Sequence, residues 1–582
     1  MKLRRREFFK LSAASSMISM TGLAKTKGDR DVVYKEKTVL KTSVSEMKDF
    51  YDTVVIGSGY GGSVAASGLA EEGSLCLLER GQEYHPGDFP EFLSEVIPFL
   101  KSPFHKLGLF GLDYYGDATV VSGSGLGGTS LINQSLATIP DDDVFDIERW
   151  PDAIRNDRDQ GALSGYYRKA KGMLRPGVWP EEQPLPGKAQ TMSDTAEALG
   201  LEFKPSPIYV NYSEFDKEKN HVGVFQNPCT LCGNCLTGCN VGAKNTLNMN
   251  YIPDAKNKGA HIFTGIDVRY FKKLASGRYR IYFDQWYSNR KGKSHKRIFG
   301  KKYIDTARLI VSAGTLGSNK ILMRSQKYGG MQFSSKLGHY FSGNGDTIGM
   351  GFNGDQRTDI ESYGNRITGP NDPTVGPASI GYTTHNPSSP EPTDRFVVED
   401  SSVPLAVVSL LKSGLFAIGG IPDSLQDIAK IFSDVIKRAP DGALNHSQLY
   451  LGVGHDDSNG EIKMSPGGKF KIAWDSIKND PIWKRINEGM KQHSDKQGAN
   501  FIENPLGMVT THPLGGCAMG EDVSSGVVDH QCRVFNPQGG IHEQLYVMDG
   551  SVIPHSLGTN PSLTITALAE RAVDLIKKPR FL

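Results

Sequence analysis

Apolar residues fill positions 54–56, Val-Val-Ile, and give way to Gly57-x-Gly59-x-x-Gly62. A helical stretch of small residues runs on to Glu72, and a second apolar run, Leu75 to Leu78, ends on Glu79. This order predicts a strand, a tight turn, a helix and a second strand. Beyond it the alternation breaks down: residues 84–117 are rich in Pro, Gly, Phe and Tyr and read as irregular packing or as a loop over a ligand. Period-two alternation returns over residues 279–311, with a turn near Lys291 and Gly292. That stretch predicts a β-meander whose last strand, RLIV, is buried and runs into Ser312-Ala313-Gly314, with a helix from about Ser318 to Ser325. From about Lys336 to Pro505 long loops and alternating strands, such as SQLYLGVGHDDSNGEIKMS, mark a second domain. Near the C-terminus LYVMDGSVIP (545–554) reads as a strand ending at Asp549-Gly550, and GTNPSLTITALAERAV (558–573) as a helix opening at Pro561-Ser562.

The glycines of the first unit have separate physical jobs. Gly57 permits the tight turn, Gly59 lets backbone approach a pyrophosphate, and Gly62 lets helix and strand pack closely. The helix opening through Tyr60, Gly61 and Gly62 offers free N–H groups and the positive end of its dipole to phosphates. Glu79, twenty-two residues after Gly57, is placed to accept from ribose hydroxyls. The unit is therefore read as a dinucleotide site, with NAD and FAD both open. The antiparallel meander that interrupts the fold favours FAD; the run Gly123-Ser124-Gly125-Leu126-Gly127-Gly128 implies by its glycine density backbone against something flat or anionic, with a flexible linker as the alternative. A free helix N-terminus at Pro561-Ser562 would stabilise the negative charge that reduction places on a flavin pyrimidine. From the residues alone, His512 in HPLGGC is a reactive or a core histidine, and Asn560 a site amide or a helix cap.

Composition narrows the classes. A chain of 582 residues, 38% hydrophobic and 22% charged, is too large for one core. A formal charge of +2 gives no electrostatic case for nucleic acid. The first residues, Arg4-Arg5-Arg6-Glu7-Phe8-Phe9-Lys10 before a short apolar run from Leu11 to Ala24, read as a twin-arginine export signal, with a basic leader helix as the alternative. The expected organisation is a signal and linker over 1–46, a cofactor domain over 47–335 with a cysteine-rich insert at 226–246, a substrate domain over 336–505, and a return to the cofactor domain over 506–582. An apolar segment, Val403 to Ile421, is too interrupted to span a bilayer and reads as core or as a lid over an apolar substrate.

Of seven cysteines, four fall in Cys229-x-x-Cys232-x-x-Cys235-x-x-x-Cys239, the spacing of a bacterial ferredoxin run. Asn240 stands where a proline usually follows. An iron–sulfur cluster, two disulfides or free thiols, and zinc are the alternatives.

The pieces VVIGSGYGG with LLERG, SGSGLGGTSLIN, RLIVSAGTLGS, HPLGGC, LYVMDGSVIP and NPSLTITALAERA occur in an order that resembles the glucose-methanol-choline (GMC) oxidoreductases, the bacterial cholesterol oxidases among them. The resemblance implies an α/β chain: a Rossmann-like FAD domain built from separated segments around an antiparallel meander, plus an α+β substrate domain with an antiparallel sheet. It implies that His512 and Asn560 face the isoalloxazine, and that Gly57, Gly59, Tyr60, Glu79, Gly128, Ser130, Asn133, Val268 and Gly550 line FAD. Glu399, in RFVVEDSSVP, is the match for a glutamate that moves a proton to shift a steroid double bond, although its spacing to His512 is longer than in the family. The expected activity is oxidation of a 3β-hydroxysteroid or similar bulky apolar alcohol by FAD with oxygen as acceptor, aided by peripheral contact with a membrane. The alternatives are an exported sugar or alcohol dehydrogenase that passes electrons through an iron–sulfur cluster to a quinone or cytochrome, and a flavin-containing lipid carrier without turnover.

Overall fold

The structure, a computed structural model, describes residues 37–213, 219–289, 292–364, 374–408, 411, 442–504 and 507–577. The segment read as a twin-arginine signal lies outside them, as do residues 409–410 and 412–421 of the apolar segment.

Five strands form the parallel centre of one sheet, in the order Ile541–Val547, Tyr303–Val311, Phe50–Ile56, Leu75–Leu78 and His261–Phe263. Their near-continuous apolar runs follow from burial on both faces: Val54, Val55, Leu309, Ile310 and Val311 have no exposed surface. The meander is antiparallel and joins the first turns of Tyr303–Val311 through Tyr279–Ser288. It starts one strand earlier than its alternation announces, at Ile266–Lys273. A bulge between Val268 and Tyr270 shifts the register there and breaks the period of two. The helix after Val311 spans Gly314–Gly329 and lies against Ile266–Lys273, beginning and ending one turn outside the expected 318–325. Helices Tyr60–Leu69 and Ser562–Lys577 pack together although about 500 residues separate them in sequence.

A second, wholly antiparallel sheet runs Asn500–Glu503, Thr347–Phe352, Gln448–Val453, Phe396–Ser401, Gly381–His385 and Phe203–Pro205. Its edge strand, Phe203–Pro205, comes from far ahead of residue 336. Ile348, Leu451, Glu399 and Tyr382 stand opposite one another across four strands, so their side chains share one face. The segment 84–117, read as irregular packing or a loop, carries a short helix, Leu93–Val96, and a strand, Phe110–Tyr114, and the Asn240 side chain bonds its backbone at Gly87 and Phe89.

Candidate active site

Three strands of the parallel sheet end side by side, with Ile56 opposite Val311 and Val311 opposite Val547. The chain therefore leaves the sheet at Gly57, Ser312 and Met548 around one crevice, the position where open α/β sheets bind ligands. Gly57 turns with φ +95°, and a Cβ on it would lie 2.2 Å from the Ser312 carbonyl oxygen. A Cβ on Gly61 would fall 1.6 Å from Met548 O, and one on Gly62 2.0 Å from Gly57 O. Gly59 differs: nothing lies within 4 Å of its would-be Cβ, although it borders the crevice. Glu79 accepts from Ser58 N–H at 3.2 Å, Ser58 Oγ at 2.6 Å and Gly81 N–H at 2.6 Å, which fixes the glycine turn and leaves lone pairs free. Around it a cleft of about 170 Å³ is bordered by Gly57, Gly59, Glu79, Gly128 and Val268.

This cleft shares Gly59, Thr129, Ser312 and Gly314 with a larger cavity of about 290 Å³. Tyr60, Gly61, Asn133, Asp549, Gly550, Pro561, Ser562, His512 and Asn560 border that cavity, and aliphatic side chains including Ile132, Leu136, Ile348, Leu449 and Leu451 complete it. His512 and Asn560 meet in its wall: Asn560 Nδ2 lies 3.5 Å from His512 Nε2. The other imidazole nitrogen is held by a residue the sequence did not flag. His512 Nδ1 lies 2.9 Å from Asp346 Oδ1, and Asp346 Oδ2 accepts from Thr511 N–H at 2.8 Å and Thr511 Oγ1 at 2.9 Å. Asp346 is 1% exposed. Burial alone would push the His512 pKa down, but the charge and hydrogen bond of Asp346, with Glu399 nearby, outweigh it and hold the imidazole above its ordinary value.

The turn that carries Asp346 also braces the segment that carries Asn560. Asn344 Oδ1 accepts from Leu557 N–H at 2.7 Å and Asn344 Nδ2 donates to Thr559 O at 2.8 Å. Thr138 Oγ1 donates to Asn560 Oδ1 at 3.2 Å, which leaves the Asn560 amide N–H groups directed elsewhere. Glu399 stands on the cavity side of the antiparallel sheet with no exposed surface, and neither carboxyl oxygen has a hydrogen-bond partner among the described residues. Burial raises its pKa to about 8, against the opposing charge of nearby His512.

Sequence profiles of one family, GMC oxidoreductase, match residues 51–331 and 427–569, about three quarters of the chain. The chain is a GMC oxidoreductase. Similar proteins include the cholesterol oxidase of Acinetobacter baumannii, 27% identical over 90% of this chain and 94% of the relative. The cholesterol oxidase of Mycobacterium tuberculosis (strain ATCC 25618 / H37Rv) is 28% identical over 91% of each. A long-chain-alcohol oxidase of Arabidopsis thaliana is 24% identical over 89% of this chain and 66% of its own length. Among solved structures, pyridoxine 4-oxidase from Mesorbium loti shares the fold, with a TM-score of 0.54 at 15% identity over 90% of this chain and 98% of that one.

As a GMC oxidoreductase the protein is an FAD-dependent oxidoreductase of CH–OH donors. Its crevice suits FAD on its own chemistry: an open Gly59, a helix N-terminus at Tyr60, and a buried Asp549 whose oxygens accept from Ser318 Oγ and Ser551 N–H. The adjoining clefts would hold the two ends of the dinucleotide. One expected lining residue turns inward instead: Ser130 donates to Gly127 O at 2.6 Å and accepts from Leu247 N–H at 3.1 Å, leaving the lining to Thr129. Gly62 packs against the Gly57 carbonyl, the close helix–strand approach expected of it. The four cysteines stand apart from the alcohol cavity, around a small cavity of their own, and none is disulfide-bonded.

Proposed function

We propose that this GMC oxidoreductase oxidises a bulky apolar secondary alcohol, a 3β-hydroxysteroid or a compound of that shape, to the ketone. One observation carries the reading: an imidazole anchored through Nδ1 on a buried carboxylate presents its other nitrogen, beside an amide, to a cavity lined by aliphatic side chains. The names of the bacterial relatives support the sterol class. Bound beside this wall, FAD would supply the acceptor for the hydride of the carbinol carbon. His512 Nε2 accepts the hydroxyl proton, Asn560 donates a hydrogen bond to the substrate oxygen, and Asp346 fixes the tautomer and stabilises the imidazolium. Glu399, poised near pH 8 on the same cavity face, is the group for a proton shift along a steroid ring.

An anaerobic screen of sterols, sugars and aliphatic alcohols for bleaching of the flavin absorbance tests the substrate class. Sterols should bleach it, and bleaching by sugars alone would sink the reading. His512→Ala should slow that bleaching by about 10²-fold or more with FAD still bound. Binding of sterol without bleaching would favour an inert lipid carrier.

Oxygen is the acceptor in this reading, measurable as oxygen uptake with peroxide release. A dehydrogenase serving a quinone or cytochrome is the second reading, favoured by Leu236, which lies between Cys235 and Cys239 in sequence and borders the alcohol cavity. Ile97, Leu100 and Phe104, the last 70% exposed, support peripheral contact with a membrane that supplies the substrate. Export by the twin-arginine route is proposed on Arg5-Arg6, and Lys at both positions should retain the protein in the cytoplasmic fraction.

A further inference from the structure

The alcohol site leaves the cysteine-rich segment unexplained. Cys229, Cys232, Cys235 and Cys239 all border one small cavity of about 20 Å³. None is disulfide-bonded, and among the described residues no group of three or more His, Cys, Asp or Glu is gathered as a single metal ion needs. A zinc ion would draw all its sulfurs to about 2.3 Å from one centre. A polynuclear iron–sulfur cluster spreads them, because each thiolate binds its own iron.

The loop has the backbone for such a ligand. Leu231 and Gly233 take left-handed φ of +60° and +77°, and Leu231 N–H points at Cys229 Sγ across 3.4 Å. Alternating turns of this kind aim successive N–H groups into an anion-binding concavity, a recurrent feature of phosphate and iron–sulfur sites. Asn234 Nδ2 and Thr230 Oγ1, on residues bordering the same cavity, have no hydrogen-bond partner among the described residues.

The charge balance points the same way. Lys244, 1% exposed, borders the cavity and donates to Asn133 O at 2.7 Å and Cys235 O at 3.2 Å. No carboxylate pairs with it among the described residues, and a buried ammonium requires a counter-charge. A cluster held by four thiolates is an anion.

We propose that Cys229, Cys232, Cys235 and Cys239 together bind one cubane iron–sulfur cluster, with Lys244 as its buried counter-charge. In two-cluster ferredoxins the fourth cysteine of this spacing serves the other cluster, whereas here all four face one cavity. Lys244 also ties the site to Asn133, which borders the alcohol cavity, so a one-electron centre stands behind that wall. That consequence rests on the flavin reading; the binding site does not.

The test is iron and acid-labile sulfide per chain in the full-length protein, purified anaerobically and then incubated with ferrous iron and sulfide, with flavin measured in the same sample. About four irons and four sulfides per chain are expected, with a paramagnetic signal on reduction by dithionite. Cys232→Ser and Cys239→Ser should each lower both several-fold at unchanged flavin content. If these variants fail to fold, the count on the unaltered chain decides. Zinc without sulfide, disulfides among the four, or no sulfide even after reconstitution would overturn the proposal. Iron and sulfide without flavin would leave it standing and remove the flavin reading instead.

Discussion

His512 presents one nitrogen to the cavity because the other is committed to Asp346, and that commitment has a pH signature. The base form exists above the imidazole pKa, which Asp346 holds high, so flavin reduction should rise with pH through that raised value. Asp346→Asn removes the attraction and lowers the pKa. The acid limb of the reduction rate should therefore move to lower pH while the plateau falls by about 10-fold or more, measured by stopped-flow bleaching across pH. Glu399 gives the opposite kind of signature, in stability. Its folded pKa of about 8 lies above the ordinary value of 4.5, so the folded chain binds an extra proton between them. Stability from this residue is complete below about pH 4.5 and is lost as pH rises through 8. Glu399→Gln should be more stable than the parent at pH 8.5 by a few kcal/mol, with little difference at pH 4.5, read from denaturant midpoints. His512 and Asn560 are legible in the sequence because each sits in a compact motif. Asp346 is not, since 166 residues and a fold separate it from the imidazole it holds. Glu399 is legible only as a local pattern, and its approach to the pair depends on the register of an antiparallel sheet.

The glycine turn shows how one element divides its labour. Gly61 is small because the Met548 carbonyl occupies the space of a side chain, whereas at Gly59 no atom of the described residues lies within 4 Å of that space. Gly61→Ala should therefore damage folding, costing about 3 kcal/mol or yielding insoluble chain. Gly59→Ala should fold with an unchanged circular-dichroism spectrum and lose FAD, measured as the ratio of flavin to protein absorbance. Equal loss of solubility in both would contradict the assignment of Gly59 to ligand approach. The strand, turn, helix and strand of this element are legible because apolar runs and glycines coincide with their boundaries. The strand Ile266–Lys273 is not, because its bulge moves the buried positions out of period.

At the scale of the molecule, the cofactor crevice joins segments that end at Ile56, Val311 and Val547, and the substrate face comes from a sheet that borrows residues 203–205. The sequence marks each segment as strand but carries no local sign of their adjacency. FAD that touches all three should stabilise them as one unit: at 100 times its Kd it adds about 2.7 kcal/mol. Hydrogen exchange should then slow together at residues 54–56, 309–311 and 545–547 on loading, and slowing at the first segment alone would contradict a shared crevice.

The strand Ile541–Val547 leaves a ribosome about 480 residues after the glycine turn, and Asp549, Asn560 and the helix from Ser562 follow it. A nascent chain thus carries the glycine turn long before it has the wall opposite. Contacts of such sequence separation form late, because loop closure precedes their reward. Cofactor capture therefore waits until these late segments exist, and a premature stop after about residue 540 would produce a chain with an intact phosphate turn and no competent site.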